Sequence, residues 1–83
     1  MTYSLDYSTQ AWKALSKLDK TIQERIIRAL ERCRIRPYSH IVRLVDSPYY
    51  GLRVGDYRVI MDLKDQQLII LVITVGHRSR IYN

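Results

Sequence analysis

The sequence predicts a small α+β domain of order β-α-α-β-β-β-β, with two N-terminal helices packed on a mainly antiparallel sheet. Three observations predict it. Apolar residues ahead of Pro37 recur largely with helical spacing, those after it alternate with a period of two, and the later runs are short and divided by turn residues. The 83 residues, 47% of them hydrophobic, supply one thin core and hence a single domain spanning 1–83. A two-domain enzyme, a disordered chain and a large preformed cavity are all excluded at this size and composition.

Tyr3 to Tyr7 alternates as a half-buried strand does, and Ser8 follows as an N-cap. Ala11, Leu15 and Leu18 then fall at i, i+4 and i+7, the stripe of a first helix, with Trp12 beside them as a core residue. Asp19 serves as a second cap or turn residue. From Thr21 a second helix places Ile22, Ile26, Ala29, Leu30 and Cys33 on one face and Glu24, Arg25, Arg28, Glu31 and Arg32 on the other. Glu24 and Arg28 have the spacing and polarity of a helical ion pair. Pro37 ends the element, because the residue before a proline is poorly helical.

Beyond Pro37, strands are expected at Ile41 to Leu44, Tyr49 to Val54, Tyr57 to Leu63 and Leu68 to Val75. Turn residues separate them at Asp46-Ser47-Pro48, Gly55-Asp56 and Lys64 to Gln67. Consecutive strands with such short links form an antiparallel meander.

The charge balance narrows the partners. Fourteen Lys and Arg oppose eight Asp and Glu, for a net charge of +6, and ten of the fourteen cations are arginine. Arginine's planar fork fits phosphate and carboxylate and stacks on bases, so nucleic acid and an acidic protein are the natural partners. The lone Cys33 permits no internal disulfide or multi-cysteine metal site, which suits the cytoplasm. The N-terminus lacks a targeting pattern, and no apolar run approaches membrane-spanning length. No glycine-rich phosphate loop or metal-spaced cluster occurs, so neither a nucleotide cofactor nor a metal is expected.

The Gly55-Asp56 turn, of type II′ or I′, fixes the register of its hairpin and sets Arg53 directly opposite Arg58. Like charges so placed repel, so the two either form an anion site or splay into solvent. Carrying the register through the next turn pairs Leu63 with Leu68 and Arg58 with Ile73. That count gives Ile73, Val75 and His77 the parity of Arg58, unless Gly76 bends the strand. It also puts Ile60 and Leu71 on the Arg58 face as apolar docking surface. His77 is a proton carrier by type, and the tail from Gly76 to Tyr82 adds Arg78, Arg80 and an aromatic ring, a combination suited to phosphate contact and base stacking. His40 lacks such company and is read as structural or exposed. Tyr57 is read as core.

Three segments together carry a family resemblance: Leu15-Ser16-Lys17-Leu18-Asp19, then Leu52 to Ile60, then Val75-Gly76-His77-Arg78-Ser79-Arg80-Ile81-Tyr82. They resemble the RelE/ParE superfamily of toxins from type II toxin–antitoxin modules, over nearly the whole chain. A RelE-like member is implied to be a ribosome-dependent mRNA endonuclease that cuts in the A site. Cleavage proceeds by metal-independent attack of the 2′-hydroxyl, with no cofactor. The resemblance implies that Arg58 is the central catalytic arginine, Arg78 the second, and Tyr82 the base-stacking residue. Arg53 stands where the family has a basic strand residue, often lysine, and Arg53 or His77 is then the candidate general base. Arg53, Arg80 and Tyr82 are implied RNA contacts. The implied partners are the ribosome, mRNA and a cognate acidic, RelB-like antitoxin. Two alternatives remain: a ParE-like inhibitor of DNA gyrase that acts by binding, and a non-catalytic basic RNA-binding module.

Overall fold

The structure, a computed structural model, describes residues 2–81. Its elements follow the expected order. Strand β1 (Ser4–Tyr7) leads into helix α1 (Thr9–Ser16) and helix α2 (Lys20–Cys33); a 3₁₀ turn (Pro37–Ser39) precedes β2 (Val42–Arg43), β3 (Tyr50–Val54), β4 (Tyr57–Lys64) and β5 (Ile69–His77). The five strands form one sheet of order β1-β5-β4-β3-β2, in which only the β1–β5 pair is parallel.

Ser8 does two jobs at the start of α1. Its hydroxyl accepts the Ala11 N–H at 3.0 Å, capping the helix, and donates to the Ile73 carbonyl at 2.7 Å. Asp19 stands at the N-cap of α2 without a side-chain cap bond, and Gln23 closes the α1–α2 corner instead, donating to the Leu15 and Leu18 carbonyls. Helix α2 ends at Cys33, ahead of the proline expected to stop it; Pro37 opens the 3₁₀ turn, where its fixed φ is at home.

Both helices cover one face of the sheet. Ala11, Leu15, Ile26, Leu30 and Cys33 meet Leu52, Val59, Met61, Ile70, Val72 and Val75 in a dry core. Cys33 is fully enclosed, and burial pushes its thiol pKa up, which keeps the sulfur protonated and unreactive. Tyr57 packs at the core's margin, as its parity requires. Trp12 does not belong to this core: it is 56% exposed and rests on Tyr7 with ring centroids 5.0 Å apart. Trp12 lies at the margin of the helix layer, against the Tyr7 ring of edge strand β1 and beside a small cavity it shares with Leu15, Gln23 and Ile27.

Among the described residues no helix covers the other face of the sheet. Leu44, just past β2, folds onto it and lies against Gly51. At the end of the molecule away from the β3–β4 turn, Asp65 accepts hydrogen bonds from the hydroxyls of both Tyr3 and Tyr38 at 2.7–2.9 Å. Tyr38 in turn meets Tyr50 edge-on. This clasp ties the chain before β1 and the 3₁₀ turn to the β4–β5 turn.

Among the described residues no helix is long and apolar enough to cross a membrane.

Candidate functional site

The β3–β4 hairpin turns as its sequence predicts. Gly55 has φ +59° while Asp56 keeps a negative φ, the sign pattern of a type II′ turn. Val54 pairs with Tyr57, and Arg53 faces Arg58 on the helix-free side. The repulsion between these neighbours is relieved by divergence. Arg53 sends Nε towards the Gly55 carbonyl at 3.4 Å, a long and weak contact. The Arg58 stem lies over Gly51, its Cδ 3.8 Å from the position a Cβ there would take. Leu44 Cδ2 approaches the same position to 2.9 Å, closer than a real Cβ tolerates, so glycine forms the floor beneath both side chains.

Arg58 is half-buried and has no carboxylate within ion-pair distance among the described residues. Its charge therefore stays available to an outside anion. Arg78 joins the same corner through Asp56: its backbone N–H donates to the Asp56 carbonyl at 2.8 Å, and its Nε lies 4.0 Å from the carboxylate. The side-chain contact is exposed and weak; the backbone bond does the positioning. Asp56 is thus more than a turn residue. Arg80 and Ile81 both return N–H groups to the His77 carbonyl, so the chain after β5 curls back and sets Ile81 against Gly76, directly across from Arg58.

The register from β4 to β5 corrects the expectation for His77. Leu68 is in the turn, with φ +55°, so Leu63 pairs with Ile70 rather than Leu68. A β-bulge then leaves Ile73 without a partner, since Ile60 pairs with Thr74 and Met61 with Val72. Arg58 consequently faces Gly76, not Ile73, and His77 faces Tyr57. Val75 and His77 are therefore on the helix side, opposite the arginines. The His77 ring meets Tyr57 edge-on at 5.4 Å, and its Nδ1 lies 2.8 Å from Ser79 Oγ. With Lys17, Leu18 and Arg80 it borders a shallow cavity of about 590 Å³ beneath α1. Ile60 and Leu71 do share the Arg58 face, as expected, although Ile60 is buried there.

The site thus brings Arg53, Arg58 and Arg78 to one corner and turns His77 away from it. Tyr82, the expected stacking residue, lies outside the described residues. No three His, Cys, Asp or Glu side chains cluster as metal ligands among the described residues. Two features escaped the sequence reading. Gly51 carried no motif, and its role as a floor depends on Leu44 folding over the sheet. The Glu24–Arg28 pair does not form; the ion pair on this helix joins Glu31 and Arg34, at 2.8 Å. Arg28 instead joins Arg25 and Arg32 along a groove beside β3, which their i, i+3, i+7 spacing could have announced.

Comparison with known proteins gives this geometry a family. Residues 5–82 match the family described as the ParE toxin of the type II toxin–antitoxin system parDE. The mRNA interferase toxin RelE of Escherichia coli is 31% identical over 84 residues, spanning 96% of this chain and 87% of that protein. Among solved structures, the archaeal RelE–RelB complex from Pyrococcus horikoshii superposes with a TM-score of 0.81 at 26% identity, covering 98% of this chain and 100% of that one. A mutant of the E. coli toxin RelE in the free state gives 0.77 at 28% identity, covering 93% and 84%. The chain belongs to the RelE/ParE toxins of type II toxin–antitoxin systems and is a RelE-like member of them.

Proposed function

We propose that this RelE-like toxin is a ribosome-dependent endoribonuclease that cuts mRNA in the A site. The observation that carries the reading is the pair Arg53 and Arg58, opposed on an uncovered sheet face, with Arg78 tied to the same turn through Asp56. Likeness to proteins named as mRNA interferases supports it.

RNA carries its own nucleophile. The 2′-hydroxyl loses its proton to solvent base as its oxygen attacks the adjacent phosphorus, the P–O5′ bond breaks, the departing O5′ takes a proton from water, and a 2′,3′-cyclic phosphate and a free 5′-hydroxyl result. The phosphorane gains negative charge on the way, and fixed guanidinium groups stabilise it more than they stabilise the ground state. Arg58, held over Gly51 with no carboxylate partner among the described residues, takes the non-bridging oxygens. Arg78 stands on the leaving-group side, and Arg53 steadies the neighbouring phosphate. The acceleration is electrostatic, and no metal is called for. His77, on the Tyr57 side of the sheet, does not take the 2′-hydroxyl proton, and Arg80 and Tyr82 add RNA contacts. The open face encloses nothing, so ribosomal RNA holds the codon in place.

An acidic antitoxin masks the same face. Relatives are solved as RelE–RelB complexes, and Arg53, Arg58 and Arg78 with the neighbouring Leu71 and Ile81 offer an acidic, partly apolar chain both charge and contact.

Primer extension on mRNA in a translating extract tests the proposal. Discrete cuts within codons should require ribosomes and vanish with Arg58→Ala and Arg78→Ala. The family model's ParE description favours a second reading, inhibition of DNA gyrase by binding. Intact mRNA together with loss of gyrase supercoiling would select it.

A further inference from the structure

We propose that the groove between α2 and the outer edge of β3 is a second RNA-phosphate site, which leads a strand around the sheet edge to Arg58. The proposal deepens the nuclease reading and rests on it for the direction of the strand, but not for the binding itself. Strand β2 pairs only with Tyr50 and Gly51, so β3 has a bare outer edge from Leu52 to Val54. Beside that edge lies a cavity of about 500 Å³, walled by Arg25, Arg28 and Arg32 of α2 and by Arg53, with His40 at its border.

Three properties make it a phosphate site. The α2 arginines are exposed, and none lies within ion-pair distance of a carboxylate among the described residues. From Arg25 to Arg32 they are seven residue steps apart, about 10 Å along the helix axis, so their charges form a line rather than a point. The line also continues: the Arg25 guanidinium reaches the turn, with Nη2 3.1 Å from where a Gly55 Cβ would stand, and Arg53 both borders the groove and shares the Arg58 face. A row of forked cations running from a helix around a bare edge to a second charged face matches a polyphosphate chain. An acidic peptide would seek apolar seats for its side chains, and the apolar residues of this groove, Ala29, Leu52 and Val54, are buried or half-buried beside four arginines.

The test is anisotropy titration of the full chain with a fluorescein-labelled single-stranded RNA of about 12 nucleotides over a range of salt. Replacing Arg25, Arg28 and Arg32 together with glutamine should weaken binding at least tenfold and flatten the log–log salt slope by about 2, at roughly 0.7 per lost phosphate contact. A control replaces Lys13, Lys20 and Lys64 with glutamine, which removes the same charge elsewhere and should change the slope by much less. Circular dichroism establishes that both variants fold. Equal effects in the two variants, or no effect in the first, would overturn the site; so would tighter binding of a polyglutamate peptide of equal charge than of the RNA.

The groove contribution should persist in an Arg58→Ala background, which separates failure of this site from failure of the nuclease reading. Repeating the titration with a ribosomal RNA stem-loop distinguishes the two sources of phosphate. Preference for the single strand assigns the groove to the cut strand; preference for the stem-loop assigns it to ribosomal anchoring, and either supports a phosphate site.

Discussion

His77 stands opposite Tyr57 across β4 and β5, on the face that Arg58 leaves, because Ile73 drops out of the ladder between them. The His77 imidazole and the Arg58 guanidinium thereby leave opposite faces of the sheet. The separation shapes the chemistry proposed for this RelE-like toxin, since the arginine corner works through fixed charge rather than through a titrating ring.

His77→Ala should accordingly lower single-turnover cleavage on programmed ribosomes less than tenfold. The rate should climb smoothly with pH through neutrality in both proteins, as solvent base becomes available. A histidine base would instead bend the wild-type profile near neutral pH, and loss of that bend in the variant would restore His77 to the central role.

Arg58→Ala should reduce cleavage by about 100-fold or more, the usual penalty for removing a transition-state donor. Arg58→Lys keeps the charge but loses the fork, so it should fall close to the alanine variant in rate while retaining most of its RNA affinity. Wild-type cleavage by the lysine variant would show that charge alone suffices.

Gly51→Ala should destabilise the fold by about 1 kcal/mol, because the new methyl meets Leu44 Cδ2 at 2.9 Å. In a domain of this size that is a fall of roughly 4–8 °C in Tm, readable by thermal denaturation. Pairing Gly51→Ala with Leu44→Ala should remove the clash, so the two changes should cost less together than separately summed. An unchanged Tm for the single variant would remove the glycine floor beneath Arg58.

Tyrosine ionisation gives a pH test of the clasp at the opposite end. The pKa of Tyr3 is raised chiefly by its hydrogen bond to the Asp65 carboxylate, that of Tyr38 by burial and then by Asp65, and that of Tyr7 by burial. A raised folded-state value means the stabilisation is complete below the ordinary tyrosine pKa of 10.0 and is lost as pH climbs through the folded values. Ultraviolet titration should therefore show these three rings ionising above the ordinary tyrosine value of 10.0, with stability declining above it. Asp65→Asn should bring Tyr3 down most, Tyr38 in part and Tyr7 hardly at all. A Tyr3 that titrates normally in the wild type would refute the clasp.

Local periodicity made most of the fold legible. Every strand and both helices were readable from spacing, and Gly55-Asp56 announced a turn that set Arg53 against Arg58. What stayed hidden depends on contacts between distant segments. The bulge at Ile73 is held by the Ser8 hydroxyl, 65 residues earlier, and a parity count has no means of detecting it. Trp12 has core phase on its helix, yet it sits at the edge of the sheet against Tyr7 of β1 and stays exposed. For the candidate site, the three arginines were legible by motif. The Gly51 floor and the Asp56 tether were not, since each arises from chain folding over an already formed sheet.

Among the described residues β1 pairs with β5 alone. Its residues therefore remain without a sheet neighbour until β5 has been synthesised. The loop to be closed spans most of the chain, the kind of long-range pairing that slows folding. A nascent copy still short of β5 also lacks the strand that brings Arg78 to the Asp56 turn. Assembly thus waits until β5 and the residues just after it have left the ribosome, and the arginine corner does not exist before then.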